Sequence, residues 1–164
     1  MNTFFLAQIG GNLFGLKKEC VVGVGVRDDE RVKPVEVDGL RCLPLPNGDQ
    51  AVVCNLQEIF PHGEGSRHAA QGYYLIVTHQ GRFMAMPMTG KGRLVMAQET
   101  DAHPLPPAFA GQARRLTSGV LVNCNDLILL MNMDVLLSLP QEARGKDADA
   151  KSAERKLLGD GGRR

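Results

Sequence analysis

Short apolar runs, each ended by a glycine, asparagine or proline break, fill the chain from its start to about residue 139. That is the pattern of short strands joined by tight turns. Phe4 to Ile9, then Gly10-Gly11-Asn12, then Leu13 to Leu16 predicts a hairpin across a glycine turn. Val21 to Val26 is β-branched and broken by Gly23 and Gly25, which marks a bulged strand or a close backbone approach. Arg27 to Lys33 is a charged, exposed connection. Leu40 to Leu45 is a strand stopped by Pro44 and Pro46, and Asn47-Gly48-Asp49 is a turn whose residues tolerate positive φ. Ala51 to Leu56 reads as a buried strand running into a helical turn over Gln57-Glu58-Ile59-Phe60.

After a linker from Pro61 to Gln71 the pattern starts again. Tyr73 to Thr78 is a strand, Gln80-Gly81 a turn and Arg82 to Met88 a second strand, followed by the short apolar run Leu94 to Ala97. His103-Pro104-Leu105-Pro106-Pro107 must be extended and superficial, because its prolines fix φ and remove backbone donors. Gly119 to Asn123, Asn125-Asp126 and Leu127 to Met131 make strand, turn and strand, and a turn of apolar residues ends at Leu139. From 140 to 164 the chain carries seven Lys or Arg and five Asp or Glu with almost nothing apolar beyond Leu157-Leu158. Such a segment cannot bury enough surface to offset its ordering entropy and is expected to be disordered.

The two halves match in order. Phe4-Phe5-Leu6 and Tyr73-Tyr74-Leu75 open them at an offset of 69 positions (73 − 4), which Phe14 and Phe83 share. Val52 to Phe60 faces Leu129 to Leu137 at an offset of 77 (132 − 55), with Asn55 opposite Asn132. Each half thus reads as hairpin, bulged strand, proline-stopped connection, turn, buried strand, asparagine and helical turn. About five short strands per half suggest a small closed barrel or curled sheet, which limits exposed edges. Lobe one spans about 1–64 and lobe two about 72–139, with a groove expected between them.

Composition narrows the function. A net charge of +1, two Tyr, six Phe and no Trp disfavour a nucleic-acid binder, which would carry a basic stripe with interleaved aromatics. The four cysteines, Cys20, Cys42, Cys54 and Cys124, are scattered through apolar stretches with no CxxC pair. Buried, reduced, structural thiols are expected, as in a reducing cytoplasm. The opening MNTFFLAQIGGNLFG has no basic n-region and two glycines break its apolar run, so it suits a strand better than a signal peptide. No run approaches 18 apolar residues. His62, Glu64 and His68 match no common zinc spacing, and His79 and His103 stand alone. Ser66 and Ser118 lie in glycine-flanked turns and in no GxSxG elbow, and neither Gly23-Val24-Gly25 nor Gly90-Lys91-Gly92-Arg93 supplies a P-loop. No catalytic residue, metal or cofactor is expected. Met84, Met86, Met88, Met96, Met131 and Met133 alternate on strands and should be mostly core. Those facing a groove would be adaptable contacts for a partner helix.

In this layout FFLAQIGGNLFGL, LPNGDQAVVCNLQEIF, YYLIVTHQGRFMAM and SGVLVNCNDLILLMNMDVLL follow in order, and over residues 3 to 138 the chain resembles the CheW family of bacterial chemosensory adaptors. The resemblance implies a mainly β fold of two SH3-like five-stranded barrels with short helical turns, and no catalysis. It further implies a cytoplasmic scaffold that couples the cytoplasmic tip of a chemoreceptor to the regulatory CheW-like domain of a chemotaxis histidine kinase. Neither nucleic acid nor direct membrane insertion is part of that reading. The expected receptor groove is lined by Val21, Val22, Val24, Met86, Met88 and Leu94, and the expected barrel-end contact is the turn at Asn47 and Gly48. Four positions depart from the family pattern, Gly23, Asn47, Val52 and Asn55; the family's Glu at Gly23 and Arg at Asn47 would have been polar anchors, and their loss means either a changed partner or a lost one. The alternative class is a small β-barrel that binds a small ligand or nucleic acid. An enzyme has no convergent acid, base and nucleophile to support it.

Overall fold

The computed structural model describes residues 1–60, 72–90 and 92–139. The linker candidates His62, Glu64, Ser66 and His68, together with Lys91 and the tail from 140 to 164, lie outside the described residues.

Among the described residues eleven strands make a mainly β protein: β1 (Asn2–Ile9), β2 (Asn12–Lys17), β3 (Val21–Val26), β4 (Val35–Val37), β5 (Leu40–Pro44), β6 (Gln50–Val53), β7 (Tyr73–His79), β8 (Arg82–Met88), β9 (Arg93–Ala97), β10 (Thr117–Asn123) and β11 (Asp126–Met131). One α-helix, α1 (Gly111–Leu116), precedes β10, and residues 133–139 are helical after β11. The strands form two mixed sheets, in the orders β10-β11-β2-β1-β9 and β3-β7-β8-β6-β5-β4.

The sheets do not follow the halves of the sequence. Hairpin β1–β2 of the first half pairs with β9 and β11 of the second, and hairpin β7–β8 of the second pairs with β3 and β6 of the first. The halves exchange their opening hairpins, so a division near 64–72 separates no sheet from the other. The first sheet runs through five strands from β10 to β9, and the second through six from β3 to β4.

The repeat is real and its register is sharper than residue matching suggests. Ile9 pairs with Asn12 across Gly10-Gly11, and His79 pairs with Arg82 across Gln80-Gly81. The hairpins therefore correspond at an offset of 70 (79 − 9), and Phe14 corresponds to Met84 rather than to Phe83. Burial agrees, since Phe14 and Met84 are both fully buried while Phe83 is partly exposed. One residue of slip turns a strand's side chains to the other face, which is why the offset of 69 paired a core ring with a residue on the opposite side. The later offset of 77 holds: Leu129 lies beside Phe14 in a parallel pair, as Val52 lies beside Met84.

Both faces of the hairpin strands are covered, which explains their near-continuous apolar sequence. Ala7, Ile9, Phe14, Leu16, Leu75, Val77, Met84, Met86 and Met88 point into one central core between the sheets. The alternate residues Phe4 and Leu6 join Leu121, Ile128 and Leu130 on the outer side of the first sheet. Tyr74 and Ala85 join Leu43 and Ala51 on the outer side of the second. Phe14 meets Phe60 edge to face at 4.8 Å. Thr117 is the one buried polar side chain among the described residues, and its Oγ1 donates to the Ala113 carbonyl at 2.9 Å.

The local capping is repeated as well. Asn55 accepts from the Gln57 N–H at 3.1 Å and opens the 3-10 turn Leu56–Glu58, and Asn132 accepts from the Val135 N–H at 3.4 Å at the start of the helical residues 133–139. His103 exchanges backbone hydrogen bonds with Val120, at 2.7 and 2.9 Å, so the proline-rich segment covers part of the β10 edge.

Candidate protein-binding site

β3 and β9 occupy matching edges of the two sheets. Val24 stands opposite Leu75 in the β3–β7 ladder, and Leu94 stands opposite Phe5 in the β9–β1 ladder. Both relations obey the 70-residue offset, and so do Val26 opposite Tyr73 and Met96 opposite Thr3. Directly paired residues of antiparallel strands point to the same face. Leu75, Tyr73 and Phe5 belong to the central core or pack on it. The side chains of Val24, Val26, Leu94 and Met96 therefore flank that core on the side where the sheets meet, yet lie beyond its cover.

They are exposed. Val22, Val24, Val26, Leu94 and Met96 leave between 44% and 66% of their surface to solvent. Val22 is the extra residue of a bulge, since Val21 pairs with Val77 and Gly23 with Ile76. The bulge predicted from the two glycines is thus present, and it bends the edge strand. Exposed apolar residues are ordinary when scattered, but two stripes at repeat-equivalent edges are not scattered. Val35, Val122 and Leu127 are also exposed, on β4 and the β10–β11 hairpin, without that equivalence.

The sequence candidates divide accordingly. Val22, Val24 and Leu94 are surface residues of the edge strands, and Val21 is half-buried against the central core. Met86 and Met88 are corrected: both are fully buried in the central core, because β8 has sheet neighbours on both sides and packing on both faces. Met96 is corrected in the opposite sense, from core to surface. Val26 and Met96 were missed, although extending the alternation from Val22–Val24 and from Leu94 by two positions reaches each of them.

Asn47 and Gly48 stand in an exposed, tightly braced loop between β5 and β6. Asn47 Nδ2 donates to Asp49 Oδ2 at 2.7 Å, and the Asp49 N–H donates back to Asn47 Oδ1 at 3.1 Å. Gly48 takes a φ of +89°, the Gly48 N–H donates to the Leu45 carbonyl at 3.0 Å, and the Leu45 N–H donates to the Asp49 carbonyl at 2.8 Å. Val52 is a half-buried member of β6, and the open side of Gly23 meets nothing within 4 Å of an added Cβ.

His79, which the sequence left without a role, ties the β7–β8 turn to the helical residues 133–139 through a 2.7 Å contact from Nε2 to Asp134 Oδ1. No cluster of three potential metal ligands occurs among the described residues. No described helix is long and apolar enough to cross a membrane.

The cysteines also divide. Cys20 and Cys42 are buried, but Cys124 is exposed in a two-residue turn with Asn125, both at positive φ. Burial, and after it the neighbouring Glu58, pushes the Cys54 thiol up to about 11. Only about one Cys54 in a thousand is thiolate at pH 8 by that value, and the thiolate is the reactive form. Iodoacetamide at pH 8 is expected to modify Cys124 at least tenfold faster than Cys54, read by peptide mass spectrometry. Equal rates would contradict the placement of both residues.

No family profile and no curated protein matches the sequence. Among solved structures the chain is similar to the scaffolding protein TtCheW from Thermoanaerobacter tengcongensis, with a TM-score of 0.61 at 19% identity, over 80% of this chain and 84% of that one. At this identity the likeness is one of architecture. Two mixed sheets and a mainly β build agree with it, and the chain has a CheW-like fold.

Proposed function

We propose that this protein is a non-enzymatic scaffold that couples the cytoplasmic tip of a chemoreceptor to the regulatory CheW-like domain of a chemotaxis histidine kinase. The observation that carries the reading is the pair of repeat-equivalent apolar edges, Val22-Val24-Val26 and Leu94-Met96, flanking the core between the sheets. An amphipathic helix presents apolar residues at i, i+3, i+4 and i+7, and two apolar rims at a sheet–sheet junction suit such a ligand. The fold shared with a protein described as a scaffold supports the same reading.

The kinase's docking place is the braced loop at Asn47 and Gly48, on an element apart from the two edge strands. Partners held at separate surfaces of one body can bias each other, and the signal is then a coupling free energy between sites. The protein works in the cytoplasm, where receptor tip and kinase meet. A coiled-coil peptide spanning a chemoreceptor tip is expected to bind with a micromolar Kd in calorimetry, the range of many transient signalling contacts. A receptor tip that binds nowhere on the folded protein would contradict the receptor half of this reading.

A further inference from the structure

The internal repeat sets one end of each sheet's outer cluster against the other, and the two ends differ in charge. Arg27 follows β3 directly, and its N–H donates to the Gly72 carbonyl at 3.0 Å. Ala97 pairs with Asn2 in the first sheet, so Arg27 and Ala97 are equivalent at the offset of 70. Extending the β5–β6 register one residue beyond Cys42 and Val52 sets Arg41 beside Val53. Gly119 stands opposite Leu130, the equivalent of Val53 at the offset of 77. In the first sheet these two places hold an alanine and a glycine. Ala97 packs on the outer cluster there, and a Cβ on Gly119 would lie 3.2 Å from the His103 carbonyl oxygen. In the second sheet both places carry arginine.

A concavity of about 270 Å³ lies at that end, with Arg27, Arg41, Val53, Tyr74 and Pro87 in its lining. Tyr74 belongs to the outer cluster and Val53 packs against it, so the floor is apolar. Arg41 lies two residues from Leu43 on β5 and shares its face, and it is exposed. The Arg27 guanidinium carbon stands over the Tyr74 ring, 5.4 Å from its centroid. A guanidinium stacked on an aromatic face keeps its N–H donors for another partner. Neither guanidinium enters an ion pair among the described residues, although Glu58 lines the concavity and Glu36 stands opposite Arg41 in the β4–β5 ladder. Asn55 also lines it, and because its Oδ1 accepts the Gln57 N–H, its Nδ2 is left as a further donor.

We propose that this concavity receives a glutamate side chain of a protein partner, its carboxylate held by Arg27 and Arg41 and its methylenes laid on Val53, Tyr74 and Pro87. Guanidinium groups meet a carboxylate with paired N–H donors, and the charge on both sides makes these bonds stronger than neutral ones. An apolar floor that excludes water strengthens the attraction further. The inference goes beyond the adaptor reading, because none of Val22, Val24, Val26, Leu94, Met96, Asn47 and Gly48 lines this concavity.

The test is an NMR titration of the full chain with the peptide acetyl-Leu-Glu-Leu-amide, with its glutamine counterpart and with inorganic phosphate. Wild type is expected to show saturable amide shifts at Arg41, Val53 and Tyr74 with the glutamate peptide, weakening as salt rises, and none with the glutamine peptide. Arg27→Gln combined with Arg41→Gln is expected to lower the affinity at least tenfold. Arg41→Gln alone, at an exposed position where the fold does not depend on the side chain, should lower it by a smaller factor. No saturable shift with the glutamate peptide, equal shifts with the glutamine peptide, or undiminished affinity in Arg41→Gln and the double variant would overturn the assignment. Shifts at these amides with phosphate and none with the glutamate peptide would overturn the carboxylate in favour of a phosphorylated ligand. Binding of the receptor tip and of the kinase domain is measured separately, so failure here leaves the adaptor reading standing.

Discussion

Replacing Phe14 by alanine is expected to cost about 3–5 kcal/mol of folding free energy, the usual range for deleting a buried aromatic ring. The ring is fully buried in the central core and packs edge to face against Phe60 at 4.8 Å, so the substitution opens a cavity and removes an aromatic pair together. Against a total stability of about 5–15 kcal/mol for a domain of this kind, that loss can leave the protein barely folded. Urea denaturation of the variant is the measurement, with the midpoint falling while the slope is kept.

Two companions make the experiment a test of the repeat. Met84 occupies the position equivalent to Phe14, fully buried in the same core, and Met84→Ala is expected to cost about 2–5 kcal/mol. Phe83 is partly exposed and faces the other side of β8, so Phe83→Ala is expected to cost clearly less than Phe14→Ala. A large loss at Phe83 with little at Met84 would mean that the hairpin register is off by one.

The second large effect is on binding. Val24→Glu combined with Met96→Glu places one carboxylate on each apolar edge, at positions that are exposed and whose substitution leaves no cavity. Affinity for the receptor tip is expected to fall at least a hundredfold, about 2.7 kcal/mol, because an apolar partner surface would have to bury an unpaired charge at two places. The melting temperature should change little, since surface substitutions of this kind stay within about ±0.5 kcal/mol. Either single substitution should weaken binding by a smaller factor. A double variant that binds like wild type while remaining folded would remove the edge strands from the site.

The strands that follow tight turns were legible because burial on both faces leaves a continuous apolar signature. FFLAQI, YYLIV and RFMAM announce themselves, and the turns Gly10-Gly11 and Gln80-Gly81 fix where each hairpin folds back. Two elements were not legible for the opposite reason. β4 has three residues, of which Val35 and Glu36 are exposed, so no apolar period can form. α1 has six residues, only Ala113 and Leu116 of which face inward, and it starts at Gly111 with φ +62°. A segment that short carries less than two turns of periodicity.

The exchange of hairpins was invisible for a deeper reason. Alternation tells a residue which face it lies on but not which strand lies alongside, and the parallel pairs β2–β11 and β6–β8 join segments more than thirty residues apart. The same gap misplaced Met86 and Met88. Their alternation was read correctly, but the face they occupy packs into the central core, and only the pairing reveals that β8 is central while β3 and β9 are edges. Val22, Val24 and Leu94 were within reach because a β-branched run interrupted by glycines, or a short run after a glycine-rich turn, suits an edge better than a core.

The central claim is that one folded body holds two partners at two separate surfaces. Its most direct test is a titration of the receptor-tip peptide into this protein already saturated with the kinase regulatory domain, followed by sedimentation to count the chains in the complex. The account predicts a ternary complex, with the tip binding the occupied protein at least as tightly as the free one. Displacement of the kinase domain by the tip, or a failure of either to bind the folded protein, would contradict it.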